Sequence, residues 1–190
     1  MKIVIDNLRK IKQTFISSFQ YIFLYYLMRL PLRSIRQFVL RHFFKMQIGE
    51  YSMIFLGGFI LNPCNITIGS GTTIGHNCYL DGRVRLTIGN NVNICSEVMI
   101  GTMQHDVQSS TFGIKTGAVT IEDYAWVSTR SIILPGVRIG KGGGVAGGAV
   151  VTKPGEPYAR VAGSPGKARG KRNENLEYIL GSKNWNMYFI

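Results

Sequence analysis

The sequence repeats branched apolar residues every six positions, and this period constrains the fold more than any other feature. Six of these residues follow one another in the second half of the chain, and two groups of three precede them: Ile68, Ile74 and Leu80; Ile88, Ile94 and Ile100; Ile121, Val127, Ile133, Ile139, Val145 and Val151. A period of six matches neither an α-helix nor a long alternating strand. It predicts short strands joined by turns of about 120°, so that three hexads close one triangular coil of about 18 residues.

Stacked coils of this kind bury the branched residues in one continuous column. A glycine often follows the apolar residue, as at Gly69, Gly75 and Gly140, where a turn requires backbone angles that side chains disfavour. The chain contains 23 glycines in 190 residues, and they do not recur at every third position, which excludes collagen. We therefore predict an all-β solenoid, a parallel β-helix of hexapeptide repeats, over residues 49–172.

The repeat is interrupted twice. Residues 81–87 add two residues to one hexad and predict a bulged corner, whereas residues 102–120 leave the register altogether. Solenoids tolerate insertions at their corners, and such loops usually carry the function. The loop 102–120 contains His105 and is therefore the first candidate for an active-site segment.

Two segments without repeats flank the solenoid. Residues 1–48 are expected to form a helical hairpin, with an uncharged run at 13–28 and Pro31 in the first turn of the second helix. The predicted apolar face of that helix consists of Leu32, Ile35, Val39, Phe43 and Met46. The hairpin is expected to cap the open end of the solenoid or to lie on an anionic membrane surface, and the two roles are compatible. Residues 173–190 are expected to form a short helix followed by an aromatic tail.

The net charge of +12 is unevenly distributed. Residues 1–48 contain nine basic residues and one acidic residue, and a second basic cluster lies at 167–172, whereas the region between them is nearly balanced. Because these basic residues lack interleaved aromatic platforms for stacking on bases, we do not expect a nucleic-acid partner.

The cysteines and the N-terminus favour a cytoplasmic protein. Cys64, Cys78 and Cys95 are too few and too scattered for a disulfide framework or a structural zinc site. The apolar run near the N-terminus has no small-residue cleavage site and is shorter than the roughly 20 residues that span a bilayer. We therefore expect a cytoplasmic location, at the inner membrane surface if the hairpin binds lipid.

Six segments occur in a characteristic order: ITIGSGTTIG, LTIGNNVNI, MIGTMQHD, WVSTRSIILPGVRIG, GAVVTK and GSPGK. Together they resemble the hexapeptide-repeat acyltransferases, in particular the sugar O-acetyltransferases of polysaccharide and lipopolysaccharide gene clusters, over residues 50–172. The resemblance implies a left-handed parallel β-helix, a homotrimer, acetyl-CoA as the donor, a sugar or glycan acceptor, and active sites between neighbouring subunits. The last segment departs from the usual GNPAK but keeps its lysine.

The resemblance implies His105 as the general base that activates the acceptor hydroxyl. Imidazole suits this role because its unperturbed pKa lies near neutrality. Asp81 and Asp106 are the candidate acceptor-binding residues. Two alternatives stay open: Asp81 as a turn residue before Gly82, and Asp106 as the group that orients His105.

For the donor, the resemblance implies Trp126 near the thioester, Thr129 and Gly147 along the pantetheine, and Thr152 and Lys153 beside the nucleotide. Lys167 is expected to neutralise cofactor phosphates, with a solvated basic tail as the alternative. No metal site is expected, because neither His42 nor His76 forms a close pair with another histidine. Two other functions remain open: an N-acetyltransferase acting on an amino sugar, and a catalytically silent β-helical scaffold.

Overall fold

A computed structural model describes residues 18–180 of the protein, and within this range two helices precede a stack of short strands. Helix α1 covers residues 18–27 and helix α2 covers Arg33–His42. The strands that follow belong to three long sheets and one small hairpin.

Each coil of the chain contributes one strand to each of the three sheets. The first sheet contains β1 (Gln47–Ile48), β4 (Ile66–Ile68), β7 (Leu86–Ile88), β12 (Val119–Ile121) and β15 (Arg138–Ile139). The second contains β2 (Met53–Ile54), β5 (Thr73–Ile74), β8 (Asn93–Ile94), β13 (Trp126–Val127), β16 (Gly144–Val145), β18 (Ala159–Ala162) and β19 (Lys167–Lys171). The third contains β3 (Phe59–Leu61), β6 (Tyr79–Asp81), β9 (Met99–Ile100), β14 (Ile132–Ile133) and β17 (Val150–Val151). Every pairing in these sheets is parallel except that of β18 with β19, so the predicted parallel solenoid is confirmed.

The strand register stacks the hexad residues into three apolar columns. In the first sheet Ile68 pairs with Ile88, which pairs with Ile121, which pairs with Ile139. All twelve hexad residues are at most 2% exposed. Burial of a branched side chain stabilises a fold by about 1.5–3 kcal/mol, and these columns therefore supply the main driving force for folding.

The two helices cover the first coil, but α2 does so with its polar side. Arg36 and Leu40 are its buried residues. The Arg36 Nη2 donates to the Ile54 carbonyl oxygen at 3.0 Å, and the Gln37 Nε2 donates to the Ser52 carbonyl oxygen at 2.8 Å. These donors satisfy backbone acceptors at the end of the stack, where no further coil pairs with the edge strand.

The prediction of which α2 residues form a buried apolar face is therefore wrong. Leu32, Ile35 and Phe43 are exposed, Val39 is half-buried, and Met46 alone of the five is buried. The apolar seal of this end comes instead from α1 and its C-terminal turn, through Leu24, Leu27 and Met28, together with Leu40 and Met46: all five belong to the hydrophobic core. The described parts of both helices thus pack against the first coil of the solenoid.

At the other end, residues 173–180 contain no helix, so the predicted C-terminal helix is absent from this stretch. The segment instead runs back along the side of the stack. The Tyr178 hydroxyl and the Arg172 Nη1 both donate to the Tyr124 carbonyl oxygen, at 2.9 and 3.0 Å, and the Leu180 carbonyl oxygen lies beside Gly71 of the second coil. The expected aromatic tail and residues 1–17 of the hairpin lie outside the described residues. Within residues 18–180 no helix has the length and apolar character required to cross a membrane.

Candidate active site

The insertion at 102–120 forms a two-stranded antiparallel hairpin that projects from the corner after β9. Its strands are β10 (Met103–His105) and β11 (Ile114–Thr116), and the Gly117 N–H donates to the Thr102 carbonyl oxygen at 3.0 Å to close its base. Strand β12 pairs directly with β7 on the preceding coil, so the hairpin leaves the solenoid register undisturbed.

His105 is the last residue of β10, and its ring is held by Phe112 across the hairpin. The Nδ1 atom lies 2.9 Å from the Phe112 carbonyl oxygen. A carbonyl oxygen can only accept a hydrogen bond, so Nδ1 carries the proton and Nε2 keeps its lone pair. The two rings also stack, with centroids 4.2 Å apart and planes 10° apart. The exposed His105 side chain thus presents a basic nitrogen in a fixed orientation.

Sequence reasoning missed Phe112. Its φ of +50° lies in the left-handed region, which side chains seldom adopt, and the turn that contains it directs the carbonyl oxygen to His105. Strained backbone of this kind often occurs at functional sites. The contact uses a main-chain atom, which every residue possesses, and the sequence therefore contained no specific signal for it.

Asp106 does not orient His105 through its carboxylate. One carboxylate oxygen forms an ion pair with the Lys115 Nζ at 3.0 Å and accepts a hydrogen bond from the Gln108 N–H at 3.1 Å. The hydrogen bond from Lys115 and that from the Gln108 N–H lower the pKa of the Asp106 carboxyl. Asp106 therefore stabilises the hairpin. The group that orients the imidazole is the Phe112 carbonyl and not the Asp106 carboxylate.

Asp81 is completely buried at the bulged corner of the preceding coil. Its Oδ1 accepts from the Arg83 N–H and Nε, and its Oδ2 accepts from the Arg83 Nη2 and the Thr102 N–H, all within 2.9–3.0 Å. Burial by itself would raise the pKa of this carboxyl, but these hydrogen bonds outweigh it and lower the pKa to about 2.

The four donors leave the Asp81 carboxylate with no acceptor site for a sugar hydroxyl in this structure. The hydrogen bond within residues 81–83 instead matches the turn role that was the alternative for Asp81. Because Thr102 is the first residue of the insertion, Asp81 also anchors the base of the hairpin that bears His105. The group that this corner exposes to solvent is the Arg83 side chain, at 40%.

The predicted donor residues lie on two different corners of the stack. Thr129 and Gly147 occupy successive turns at the corner between the second and third sheets, where the Gly148 N–H donates to the Thr129 carbonyl oxygen at 3.0 Å. Both residues are exposed. Trp126 is exposed on β13 of the second sheet, beside a cavity of about 310 Å³ that Arg160 and Arg169 also line.

Lys167 belongs to the same corner as Thr129 and Gly147. It begins β19 in the second sheet and pairs with Ala162, and the N–H of the preceding Gly166 donates to the carbonyl oxygen of Val150, the first residue of β17, at 2.7 Å. Thr152 and Lys153 lie at the next corner, between the third and first sheets. The His105 hairpin leaves the stack from this same corner two coils away, which corresponds to about 10 Å at the usual spacing of paired strands. One chain therefore combines His105 with Thr152 and Lys153, while Thr129, Gly147 and Lys167 lie across the third sheet.

The two other histidines have aromatic neighbours. The His76 ring lies 5.1 Å from the Phe55 ring and the His42 ring 4.4 Å from the Phe38 ring, centroid to centroid. Among the residues that the structure describes, no three His, Cys, Asp or Glu side chains are close enough together to hold a metal ion.

No protein-family model matches the chain. It is 38% identical over 107 residues to a putative acetyltransferase of Schizosaccharomyces pombe, and this alignment covers 54% of the present chain and 51% of the relative. It is 32% identical over 116 residues to the galactoside O-acetyltransferase of Lactococcus lactis, in an alignment that covers 58% of the present chain and 55% of the relative. The alignments thus span about half the length of these relatives.

Solved structures match over a larger share of the chain. A hexapeptide-repeat acetyltransferase of Vibrio cholerae in complex with acetyl coenzyme A is 25% identical, with a TM-score of 0.70 over 80% of this chain and 85% of that one. A galactoside acetyltransferase in complex with coenzyme A is 23% identical and has a TM-score of 0.74, over 86% of this chain and 88% of that one. These matches confirm the left-handed β-helix.

Proposed function

We propose that this chain, which belongs to the hexapeptide-repeat acetyltransferases, transfers an acetyl group from acetyl-CoA to a sugar hydroxyl with His105 as the general base. The observation on which the proposal depends is the hydrogen bond between the His105 Nδ1 and the Phe112 carbonyl oxygen. It leaves Nε2 free to accept a proton, and it does so on an exposed side chain that an acceptor can reach.

The proposed reaction proceeds in one displacement. The acceptor hydroxyl transfers its proton to the His105 Nε2 while its oxygen attacks the thioester carbonyl carbon. The carbon–sulfur bond of the resulting tetrahedral species then breaks, and the coenzyme A thiolate takes the proton back from the imidazolium. Backbone N–H groups at a coil corner stabilise the negative oxygen in between. No covalent acyl-enzyme is required.

The Phe112 carbonyl also supports the charged intermediate state of the base. A protonated imidazole still donates from Nδ1 to the same oxygen, and that hydrogen bond strengthens when the ring becomes positive. The stacked Phe112 ring keeps the imidazole from rotating during the transfer. The hairpin thus provides orientation and tautomer, while the acceptor and donor supply the reacting atoms.

A sugar acceptor is supported by the similarity to galactoside O-acetyltransferase. The polar groups near the base of the hairpin suit hydroxyl recognition: the Arg83 guanidinium is half-exposed and held in place by the buried Asp81 carboxylate. A surface polysaccharide, a lipopolysaccharide or a precursor glycan would supply such hydroxyls. Asp106, at the turn of the same hairpin, remains a candidate for contact with the acceptor.

Acetyl-CoA as donor is supported by the fold shared with a protein crystallised with that ligand. We assign the thioester end to Trp126, the pantetheine to Thr129 and Gly147, and the nucleotide to Thr152, Lys153 and Lys167. Because these groups occupy two corners of one chain, a homotrimer in which the corner of one subunit faces that of the next would assemble them into one site.

The test measures release of free coenzyme A and acetylated product from acetyl-CoA with a panel of galactosides, maltose and amino sugars. The His105→Ala variant is expected to lower turnover by about 10²–10⁴-fold, the usual value of a positioned base. The matched control is His76→Ala, which removes a histidine of the same solenoid that lies outside the hairpin. Near wild-type turnover in His105→Ala would overturn the assignment of the base, and acetylation of amines alone would overturn the assignment to hydroxyl transfer.

A further inference from the structure

Helix α1 exposes a continuous apolar stripe. Phe19, Ile22, Phe23 and Tyr26 follow the i, i+3, i+4, i+7 spacing that places side chains on one helical face, and Ile22 and Tyr26 are 57% and 66% exposed. The opposite side of α1 is already used, because Leu24, Leu27 and Met28 belong to the core. The stripe faces away from the solenoid.

Helix α2 also presents apolar side chains on the side that faces away from the solenoid. Its buried side holds Arg36 and Leu40, and its outward side presents Ile35 and Phe38, which are 46% and 56% exposed. At 100° per residue, Arg41 falls between these two sides, whereas Arg33 lies next to the buried residues, and both line an open groove at the end of the solenoid. Positive charge therefore borders the apolar side of the helix.

We propose that the outward faces of α1 and α2 bind the surface of an anionic membrane. Contiguous exposed apolar side chains of this number mark an interaction site in a folded protein. Aromatic and aliphatic side chains with basic neighbours are typical of helices that lie at a lipid interface, where the rings enter the headgroup region and the cations stay at the phosphates.

Charge complementarity selects this occupant over a second copy of the chain. Residues 1–48 contain nine basic residues and one acidic residue, and the whole chain has a net charge of +12. Two copies that met through this face would bring their basic residues together, whereas an anionic leaflet attracts each of them. The proposal is independent of the reaction at His105.

The first test is sedimentation of the full chain with phosphatidylcholine vesicles, with and without phosphatidylglycerol. Binding is expected only with phosphatidylglycerol, and it weakens as salt is raised because the electrostatic part is screened. A variant with Ile22→Ser, Tyr26→Ser, Ile35→Ser and Phe38→Ser is expected to bind at least about tenfold more weakly, since it loses most of the apolar contact. The matched control is Val107→Ser, an exposed apolar residue in the turn of the hairpin that projects from the solenoid.

The second test does not depend on the stability of the fourfold variant. Phe38→Trp places an indole on the outward face with little change in volume. Beyond the signal of the native Trp126 and Trp185, its emission is expected to shift to the blue and to be quenched by brominated lipid in anionic vesicles, whereas the indole of Val107→Trp on the projecting hairpin is not quenched. Unchanged vesicle binding by the fourfold variant, or absence of quenching at position 38, would overturn the proposal. Dissociation of an oligomer in the fourfold variant without any vesicle binding by the parent chain would overturn it too, and would identify the face as a contact between copies instead.

Discussion

Replacement of Asp81 by asparagine is expected to destabilise the fold in a way that depends on pH. The wild-type carboxyl has a folded pKa of about 2 against an ordinary value of 3.8. Because a tenfold change in a proton-binding constant corresponds to about 1.36 kcal/mol, the ionised carboxylate contributes about 2 kcal/mol to the free energy of unfolding at neutral pH. The asparagine side chain keeps the size but removes the charge, and its NH₂ group faces donors that need acceptors.

The sign of the pH dependence follows from the depressed pKa. Because the folded carboxyl holds its proton less tightly than the unfolded one, its contribution is complete well above pH 3.8 and is lost as the pH falls towards about 2. Denaturant unfolding of wild type and Asp81→Asn, at equal protein concentration, is therefore expected to show a difference of about 2 kcal/mol at neutral pH that shrinks in acid.

The control for this measurement is Glu97→Gln, which removes the exposed ion pair between Glu97 and Arg130. An exposed pair is screened by solvent, so this variant is expected to unfold close to wild type at every pH. A difference for Asp81→Asn that stays the same from neutral pH to acid would refute the reasoning, because it would come from packing and not from the ionised carboxylate.

Three further predictions concern the site. Phe112→Gly keeps the carbonyl oxygen and adopts a positive φ easily, but it loses a ring contact of about 0.5–1.5 kcal/mol, so turnover is expected to fall about 2–10-fold; unaltered turnover would show that the stacking has no role. Lys153→Gln and Lys167→Gln are each expected to raise the KM for acetyl-CoA about threefold to tenfold with little effect on kcat, whereas Lys141→Gln at another corner leaves it unchanged. Sedimentation at micromolar concentration is expected to give a trimer, and a fully active monomer would contradict the shared site.

The solenoid could be predicted from the sequence because the hexad period specifies which residues point inward. The same pattern located both insertions, since a break in a strict period is easy to detect. His105 was predicted because the order of the surrounding motifs resembles a known family. The fold and the insertions could be predicted because they depend on side chains at fixed spacing, whereas the role of His105 stays a prediction.

Two features that the sequence did not predict involve main-chain atoms. The Phe112 carbonyl that orients His105 and the coil carbonyls that accept from Arg36 and Gln37 leave no trace in residue types. The apolar face of α2 was misplaced because amphipathic reasoning assumes that a helix packs on an apolar surface, whereas the end of a solenoid is a row of backbone acceptors. For Asp81 the sequence left the acceptor and turn roles open, because its partner Arg83 lies only two residues away in an insertion without periodicity.

Because β7 pairs directly with β12, the hairpin that bears His105 could be removed without breaking the strand pairing of the solenoid. The coils on either side of the insertion meet as they would without it, and the two ends of the hairpin, Thr102 and Gly117, are already joined by a hydrogen bond. Its length and sequence can therefore change in evolution without disturbing the apolar columns beneath it. The solenoid therefore supports the hairpin without depending on its sequence, and a segment at one corner can be exchanged while the three apolar columns stay in register.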